Sequence, residues 1–90
     1  MQIWKYHLEL GEQVIEMPIG AKVLEVHEQG GSICLWAEVN AKRDLQARRF
    51  LVVGTGVELP DSAAANHYLG TIHFEGLVWH VYGDQPRHRG

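Results

Sequence analysis

YLGTIHFEGLVWHVY, residues 68–82, carries the strongest structural signal in the chain. Two runs rich in β-branched and aromatic residues flank the pair Glu75-Gly76, which is typical of a β-hairpin with a two-residue turn. Such a turn fixes the register of the two strands. The resulting pairs are Phe74 with Leu77, Ile72 with Trp79, and Gly70 with Val81. These apolar residues share one face, so the segment predicts an antiparallel hairpin with Trp79 in the core.

Five earlier segments also read as strands, most of them with apolar and polar residues in alternation. They are IWKYHLEL (3–10), QVIEM (13–17), AKVLEVHE (21–28), SICLWAEV (32–39) and ARRFLVV (47–53). In the first, Trp4, Tyr6, Leu8 and Leu10 share one face; in the third, Leu24 and Val26 share one face. The chain is therefore predicted to be all-β, a single small antiparallel barrel or sandwich of six to seven strands. Before the last hairpin, DSAAAN (61–66) predicts one helical turn capped by Asp61 or Ser62.

The composition is that of one small globular domain. Of the 90 residues, 46% are hydrophobic and 21% charged, so one core is expected over residues 1–82, with residues 83–90 as a flexible tail. The net charge of −3 argues against a nucleic-acid binder or an anionic-membrane binder, because such proteins carry a basic excess. The single cysteine, Cys34, forms no intrachain disulfide, and no apolar run approaches the roughly 20 residues of a membrane span. We therefore expect a soluble intracellular protein.

LVVGTG (51–56) resembles the start of a dinucleotide-binding unit, but the residues after it do not fit one. That fingerprint needs a third glycine in register, a helix directly afterwards and an acidic residue about 20 positions on. Here Val57, Glu58, Leu59 and Pro60 come next, and they do not begin a helix. The glycines are therefore predicted to serve a turn or bulge at a strand end. Successive amides in such a turn can also bind an anion.

Half of the lysines and arginines lie within residues 42–49, and Arg48 and Arg49 belong to the strand that runs into this turn. Their side chains point to opposite faces of that strand. The plain interpretation is a solvated loop and a charge-protected edge strand. The functional hypothesis is a site for a phosphorylated small molecule or an acidic partner. Its residues are Arg48, Arg49, Gly54, Thr55 and Gly56.

The three tryptophans divide between core and surface. Trp79 is expected in the core, because it alternates with other apolar residues of the hairpin. Trp36, in the most continuously apolar strand, is the candidate interface residue, since tryptophan is enriched at interfaces. A domain of 90 residues gains stability by association, so a homo-oligomer, a dimer or larger, is expected.

Catalytic and metal-binding patterns are weak. Among the six histidines, His73 and His80 are diagonal neighbours in the predicted hairpin, but no third ligand has a fixed spacing, so no metal is predicted. Cys34 lies in an apolar strand, where a buried and inert thiol is expected. The carboxylates are scattered, and no acid/base pair can be nominated. The sequence therefore predicts no enzyme, no catalytic residues and no cofactor.

From end to end the chain resembles a family of small bacteriophage-encoded proteins of unknown function. The landmarks of this resemblance are IWKY (3–6), MPIGAKVLEV (17–26), CLWAEV (34–39), RRFLVVGTG (48–56) with LP (59–60), and YLGTIHFEGLVWHVY (68–82). The resemblance implies a compact β-rich fold and a phage or prophage origin, and therefore the cytoplasm of a bacterial host. It brings no catalytic residues.

Three functional hypotheses are compatible with these patterns. The first is a non-enzymatic phage accessory protein that inhibits a host factor, such as a defence protein, by stoichiometric binding or by sequestering a nucleotide-derived signal. Small proteins without a catalytic constellation suit such a role by analogy. The second is a small structural or assembly protein of the virion that acts through β-edge pairing. The third is an enzyme with an unrecognised site.

Overall fold

The computed structural model describes residues 1–87, which form seven strands and one 3-10 turn. The elements are β1 Gln2–Leu8, β2 Gly11–Pro18, β3 Lys22–Gln29, β4 Ser32–Val39, β5 Leu45–Gly54, η1 Ala63–Ala65, β6 His67–Phe74 and β7 Leu77–Gly83. The predicted all-β class is confirmed. Within residues 1–87, no helix has the length and apolarity to cross a membrane.

The strands form two antiparallel sheets that pack as a sandwich and do not close into a barrel. One sheet has the order β1-β4-β3, and the other has the order β2-β5-β7-β6. All seven strands contribute to one core between the sheets. Its members include Leu8, Met17, Val23, Leu35, Phe50, Ile72 and Val81. On one side β3 and β6, each the edge of its sheet, lie next to one another.

The final hairpin has the predicted register. The pairs Phe74–Leu77, Ile72–Trp79 and Gly70–Val81 are all present. Glu75 and Gly76 form the turn with φ angles of 51° and 76°, the positive values that a tight hairpin turn requires. Trp79 is half-buried against the core, but Leu77 is 59% exposed. The reason is that β5 pairs with β7 only from Trp79 onward, so the hairpin end extends beyond its neighbours.

The predicted phase of β3 is wrong, because the strand contains a β-bulge. The register with β4 shifts between Val23 and Glu25, and Leu24 is the additional residue. Val23 and Val26 are therefore the buried residues, at 0% and 5% exposure, whereas Leu24 lies on the outer face. Leu10 was likewise predicted to be buried and is 53% exposed, because β1 ends at Leu8.

The connection from β5 to β6, residues 55–66, is named the strap because it passes over the outer face of the four-stranded sheet. β5 and β6 are both antiparallel to β7, which lies between them, so the strap returns along the sheet. Ser62 caps η1 as predicted, since its Oγ accepts a hydrogen bond from the Ala64 amide at 3.1 Å. Ala64 packs on Leu51 and Val53, which anchors the strap to the sheet.

Residues 83–87, assigned to a flexible tail from the sequence, pack against the domain. Arg87 donates from Nη1 to the Leu69 carbonyl at 3.1 Å and from Nε to the Leu24 carbonyl at 3.2 Å. These contacts join β6 to β3 across the seam between the sheets. Residues 88–90 of the predicted tail lie outside the described residues.

The strand registers bring four connections to one end of the sandwich. They are Glu9–Leu10, Gly30–Gly31, the first residues of the strap (55–59), and Glu75–Gly76. This end, with Leu77, is named the tip. The opposite end, with the connections 19–21 and 40–44, is named the base.

Candidate functional site

The tip exposes large apolar side chains. Leu10, Val57 and Leu77 are 53%, 60% and 59% exposed. Leu10 and Val57 lie in connections, and Leu77 is the first residue of β7, directly after the hairpin turn. Leu59 of the strap is also exposed. Single exposed apolar residues are common, but several at one end of a small domain mark a surface for interaction.

Three cavities open at the tip. One of about 320 Å³ is lined by Leu8, Leu10, Ile33 and Phe74, with polar residues of the neighbouring turns. A second of about 350 Å³ lies between the start of the strap and the final hairpin, and its lining includes Leu77, Val78 and Trp79. A third of about 230 Å³ lies under the strap, between Val57 and Leu59 on one side and His80 and Tyr82 on the other.

The predicted Gly54-Thr55-Gly56 turn lies between the last two cavities, and backbone geometry explains Gly56. Gly56 has a φ of +90°, which residues with a side chain rarely adopt. The Thr55 amide donates to the Val78 carbonyl at 3.3 Å, and the Val57 amide donates to the Gly54 carbonyl at 3.2 Å. The turn is therefore fixed to β7 and starts the strap in a defined direction.

His80 connects this turn to β6 through side-chain hydrogen bonds. Thr55 Oγ1 lies 2.7 Å from His80 Nε2, and Thr71 Oγ1 lies 3.0 Å from His80 Nδ1. The Tyr68 hydroxyl continues the row by bonding Thr71 Oγ1. This row was not predicted from the sequence, although the predicted hairpin register already places His80 opposite Thr71.

The row of Thr55, His80 and Thr71 resembles a catalytic hydroxyl activated by a histidine, but it lacks the carboxylate that usually orients the histidine. A hydroxyl next to an imidazole is the usual start of nucleophilic catalysis. In that arrangement a carboxylate on the second ring nitrogen stabilises the imidazolium, whereas Thr71 supplies a neutral hydroxyl. We therefore interpret the row as holding the strap on the sheet. Within residues 1–87, no group of three or more His, Cys, Asp and Glu side chains is placed to hold a metal ion.

Arg48 is a structural residue of the interior. It is 1% exposed, and its Nε donates to Asp84 Oδ1 at 3.0 Å. Its Nη1 donates to the Ala21 carbonyl at 2.9 Å, and the guanidinium lies 6.0 Å from the centroid of the Phe50 ring. Because both the charge and the donors are occupied inside the protein, this side chain is not available to a ligand at the surface.

Arg49 points to the opposite face, as predicted, and its side chain is exposed. Its backbone amide donates to Asp84 Oδ2 at 2.9 Å. It lies five residues before Gly54 on the same strand, a separation of about 16 Å. The structure thus brings Gly54, Thr55 and Gly56 together with His80, and it places neither predicted arginine beside them.

Trp36 lies half-buried on the outer face of the three-stranded sheet, away from the tip. Together with Ile3 and Leu24 it lines the apolar part of a shallow cavity of about 520 Å³. Lys5 on β1 and Glu25 on β3 are its neighbours on either side. This surface is named the Trp36 face.

Charge is distributed unevenly between the two ends. Three of the tip connections contain a glutamate, namely Glu9, Glu58 and Glu75, and Glu28 lies two residues before the fourth. None of these connections contains lysine or arginine. The nearest ammonium group on the neighbouring sheet is that of Lys5, which donates to Gln29 Oε1 at 2.9 Å. The base and the lower strands hold Lys22, Lys42, Arg43, Arg48 and Arg49.

Tyr6 is a half-buried residue whose phenol has an altered pKa. Its hydroxyl is buried and has no hydrogen-bond partner among residues 1–87. Burial raises the pKa of the Tyr6 phenol above its usual 10.0, and the positive charge of Arg48 opposes that rise.

Comparison with known proteins identifies a family but no function. Neither the curated proteins nor the solved structures contain a match to this chain. A family model described as a domain of unknown function (DUF7352) matches residues 1–89. The match covers nearly the whole chain, including every strand of the sandwich and the strap. The chain therefore belongs to the DUF7352 family of domains of unknown function.

Proposed function

We propose that this protein is a non-enzymatic accessory protein of a bacteriophage that inhibits a host factor, such as a defence protein, by binding it stoichiometrically through the tip. The phage origin is an inference from the resemblance of the sequence to small phage proteins. The binding role is an inference from the surface of the tip. The phage origin implies that the protein acts in the cytoplasm of the bacterial host.

The observation that supports the proposal best is the exposure of Leu10, Val57 and Leu77 beside three cavities, two of which share Gly54 and Thr55 in their linings. Apolar side chains gain free energy when a partner removes them from water. The cavities, at about 230 to 350 Å³, lie at or below the lower end of the roughly 300–1,000 Å³ that small-molecule sites occupy. Adjoining shallow cavities suit the protruding side chains of a protein partner instead.

A second candidate is the sequestration of a nucleotide-derived signal in the cavity under the strap. Thr55 and His80 offer polar groups to a phosphate there, next to the Gly56 turn. Arg48 and Arg49 do not contribute, so the affinity for a phosphorylated ligand depends on neutral donors. A thermal-shift panel of cyclic and phosphorylated nucleotides tests this candidate, because a bound ligand raises the melting temperature. If no nucleotide shifts the melting temperature, this candidate is rejected.

Self-association through the Trp36 face is part of the proposal, with a second copy of this chain as the occupant. A twofold axis parallel to β4 would place Lys5 of one copy opposite Glu25 of its partner, and the reverse. Isologous contacts of this kind are the usual basis of dimers. Light scattering over a range of concentrations is expected to show a dimer that Trp36→Ala dissociates. A monomer at every concentration rejects this part.

The main test is affinity capture from host cells with three versions of the protein. Leu77→Ser removes an apolar side chain at the tip. Leu45→Ser is its matched control, because Leu45 is 58% exposed, close to the 59% of Leu77, but lies near the base. We expect the unmodified protein and Leu45→Ser to retain one host protein at near one-to-one stoichiometry, and Leu77→Ser to lose it.

Other outcomes reject the proposal in distinct ways. Equal capture by all three versions rejects the tip as the binding surface. Incorporation of the protein into purified virions, without a host partner, favours the assembly hypothesis. Turnover of a captured molecule would favour an enzyme.

A further inference from the structure

We infer that the tip recognises a basic surface of its protein partner, with apolar side chains of that partner in the tip cavities. This inference rests on the proposed function and specifies the partner of the same site. It concerns the chemistry of the contact and does not name the host protein.

The apolar part of the tip sets where the partner docks. Leu77 comes directly after the hairpin turn, and it lines the cavity of about 350 Å³ together with Trp79. Leu10 lines the cavity of about 320 Å³ with Phe74. Each cavity is bordered by an aromatic side chain, Trp79 or Phe74, that packs against the sandwich core. Docking on such rigid apolar groups needs little rearrangement.

The charge around these groups selects the partner. Glu9, Glu58 and Glu75 are exposed and lie in three different connections of the tip. No lysine or arginine lies in any tip connection to neutralise them. A cationic surface is therefore attracted to this end, whereas nucleic acid, anionic lipid and acidic proteins are repelled.

Glu28, the fourth tip glutamate, has a local role and is not part of this surface. It is half-buried, and its Oε2 accepts a hydrogen bond from the Gly31 amide at 2.9 Å. It therefore stabilises the β3–β4 turn. Three exposed carboxylates remain available to a partner.

Glu75 carries one of these negative charges on a residue with an unusual backbone conformation. It is the one residue other than glycine with a positive φ, at 51°, among residues 1–87. Asparagine, aspartate or glycine fits such a turn with less strain. Local strain of this type persists where surrounding structure enforces it, and it concentrates at functional sites. The turn therefore presents a carboxylate at the apex of the hairpin, at some cost in stability.

The base of a second copy of this chain is an alternative basic partner for the tip. The charges of the two surfaces favour a different protein as the partner. The cations of the base connections stand among acidic residues such as Asp44, and Arg48 is buried in its pair with Asp84. A tip-to-base contact between copies also does not close, so it would generate an open chain of molecules. A partner with a uniformly basic surface matches the tip better than the mixed base does.

Two synthetic peptides of the same leucine pattern test the inference directly, one with lysine and one with glutamate at every polar position. Each is titrated into the isotope-labelled full chain, and backbone amide shifts are followed by NMR. We expect the lysine peptide to shift the amides of Leu10, Val57 and Leu77. Its affinity should fall about tenfold between roughly 50 and 500 mM NaCl, because exposed charges are screened.

Charge variants identify the residues responsible. Glu75→Asn and Glu58→Gln are each expected to weaken the lysine peptide about threefold, mostly through slower association. Glu16→Gln is the control, because Glu16 is exposed on β2 towards the base, where it pairs with Ala47. It should leave the affinity unchanged.

Several results overturn the inference. They are equal binding of the glutamate peptide, shifts confined to the Trp36 face or the base, an affinity that salt does not change, and an effect of Glu16→Gln equal to that of Glu75→Asn. Concentration-dependent chains that Glu75→Asn abolishes would assign the tip to a second copy instead. The proposed function fails separately: it is rejected if Leu77→Ser captures the host protein normally, whatever the peptides do.

Discussion

The two ends of this sandwich use the same kinds of residue for different purposes. Near the base, two arginines hold parts of the fold together: Arg48 pairs with Asp84, and Arg87 joins β6 to β3. At the tip, the carboxylates of Glu9, Glu58 and Glu75 and the apolar side chains of Leu10, Val57 and Leu77 face solvent. The comparison indicates that the base stabilises the fold while the tip remains available for a partner.

The variant with the largest expected effect on stability, Arg48→Ala, tests the stabilising role of the base. We expect Arg48→Ala to lower the free energy of unfolding by about 3 kcal/mol, because it leaves Asp84 without its buried partner. Its matched control is Arg49→Ala, which removes an exposed side chain from the next position on β5 and should leave the urea midpoint unchanged. Urea denaturation followed by tryptophan fluorescence measures both. Equal midpoints for the two variants would contradict a structural role of Arg48.

The sequence predicted strands, register and turns well where the signal was local. The hairpin was correct to the residue pair from Gly70 to Val81, because alternation and a two-residue turn together leave one register. The β-bulge between Tyr68 and Gly70, beyond which Tyr68 pairs with Tyr82, was not predicted. The helical turn of the strap was also predicted from neighbouring residues, with Asp61 or Ser62 as its cap, and Ser62 is the cap. Alternation does not tell where a neighbouring strand ends, however, so Leu10 and Leu77 were placed on the apolar faces of their strands although both are exposed.

The missed features depend on contacts between distant parts of the chain. Arg48 and Asp84 are 36 residues apart, and no strand pattern indicates which sheet face the two share. The bulge at Leu24 has no glycine or proline to announce it, yet one additional residue reverses the face of every later side chain. The tip as a surface was missed for the same reason, since it exists only after four separate connections meet.

A second test concerns the seam between the sheets, where β6 approaches β3. A Cβ at Gly70 would lie 2.5 Å from Val26 Cγ2, closer than atoms can pack. We expect Gly70→Ala to destabilise the protein by about 2 kcal/mol, as overpacking of a core does. The double variant Gly70→Ala with Val26→Ala should recover part of that loss, and a thermal-melting double-mutant cycle measures the recovery.

Gly54→Ala is the counterpart of this change at the tip. A Cβ at Gly54 would lie 3.5 Å from the Trp79 ring, an ordinary contact distance, and the residue has no positive φ. It should melt close to the unmodified protein. A loss of stability as large as that of Gly70→Ala would show that the tip is packed as tightly as the seam. That result would contradict the difference between the two ends.

A third test uses the buried hydroxyl of Tyr6. Tyr6→Phe should raise the stability at neutral pH by about 1 kcal/mol, because it removes a buried hydroxyl without a partner. The pKa of Tyr6 is raised in the folded state, so its contribution is intact below the unfolded value of 10.0 and is lost as the pH rises through the folded pKa. Urea titrations at pH 8 to 11 should therefore show a smaller alkaline loss for Tyr6→Phe. If Tyr6→Phe loses as much stability between pH 8 and 11 as the unmodified protein, other groups cause the alkaline loss.

The smallest expected effect is a gain in stability, from Glu75→Asn, and it separates stability from binding at the tip. Glu75→Asn should raise the free energy of unfolding by about 0.5 kcal/mol, because asparagine tolerates the positive φ that glutamate adopts there. Thermal melting measures the gain, with Glu58→Gln as a control that removes a tip charge without changing a strained residue. Higher stability together with weaker binding of the lysine peptide would mean that the turn holds its carboxylate for a partner at the expense of the fold. A loss of stability would instead make Glu75 part of the structure, and the tip would then resemble the base.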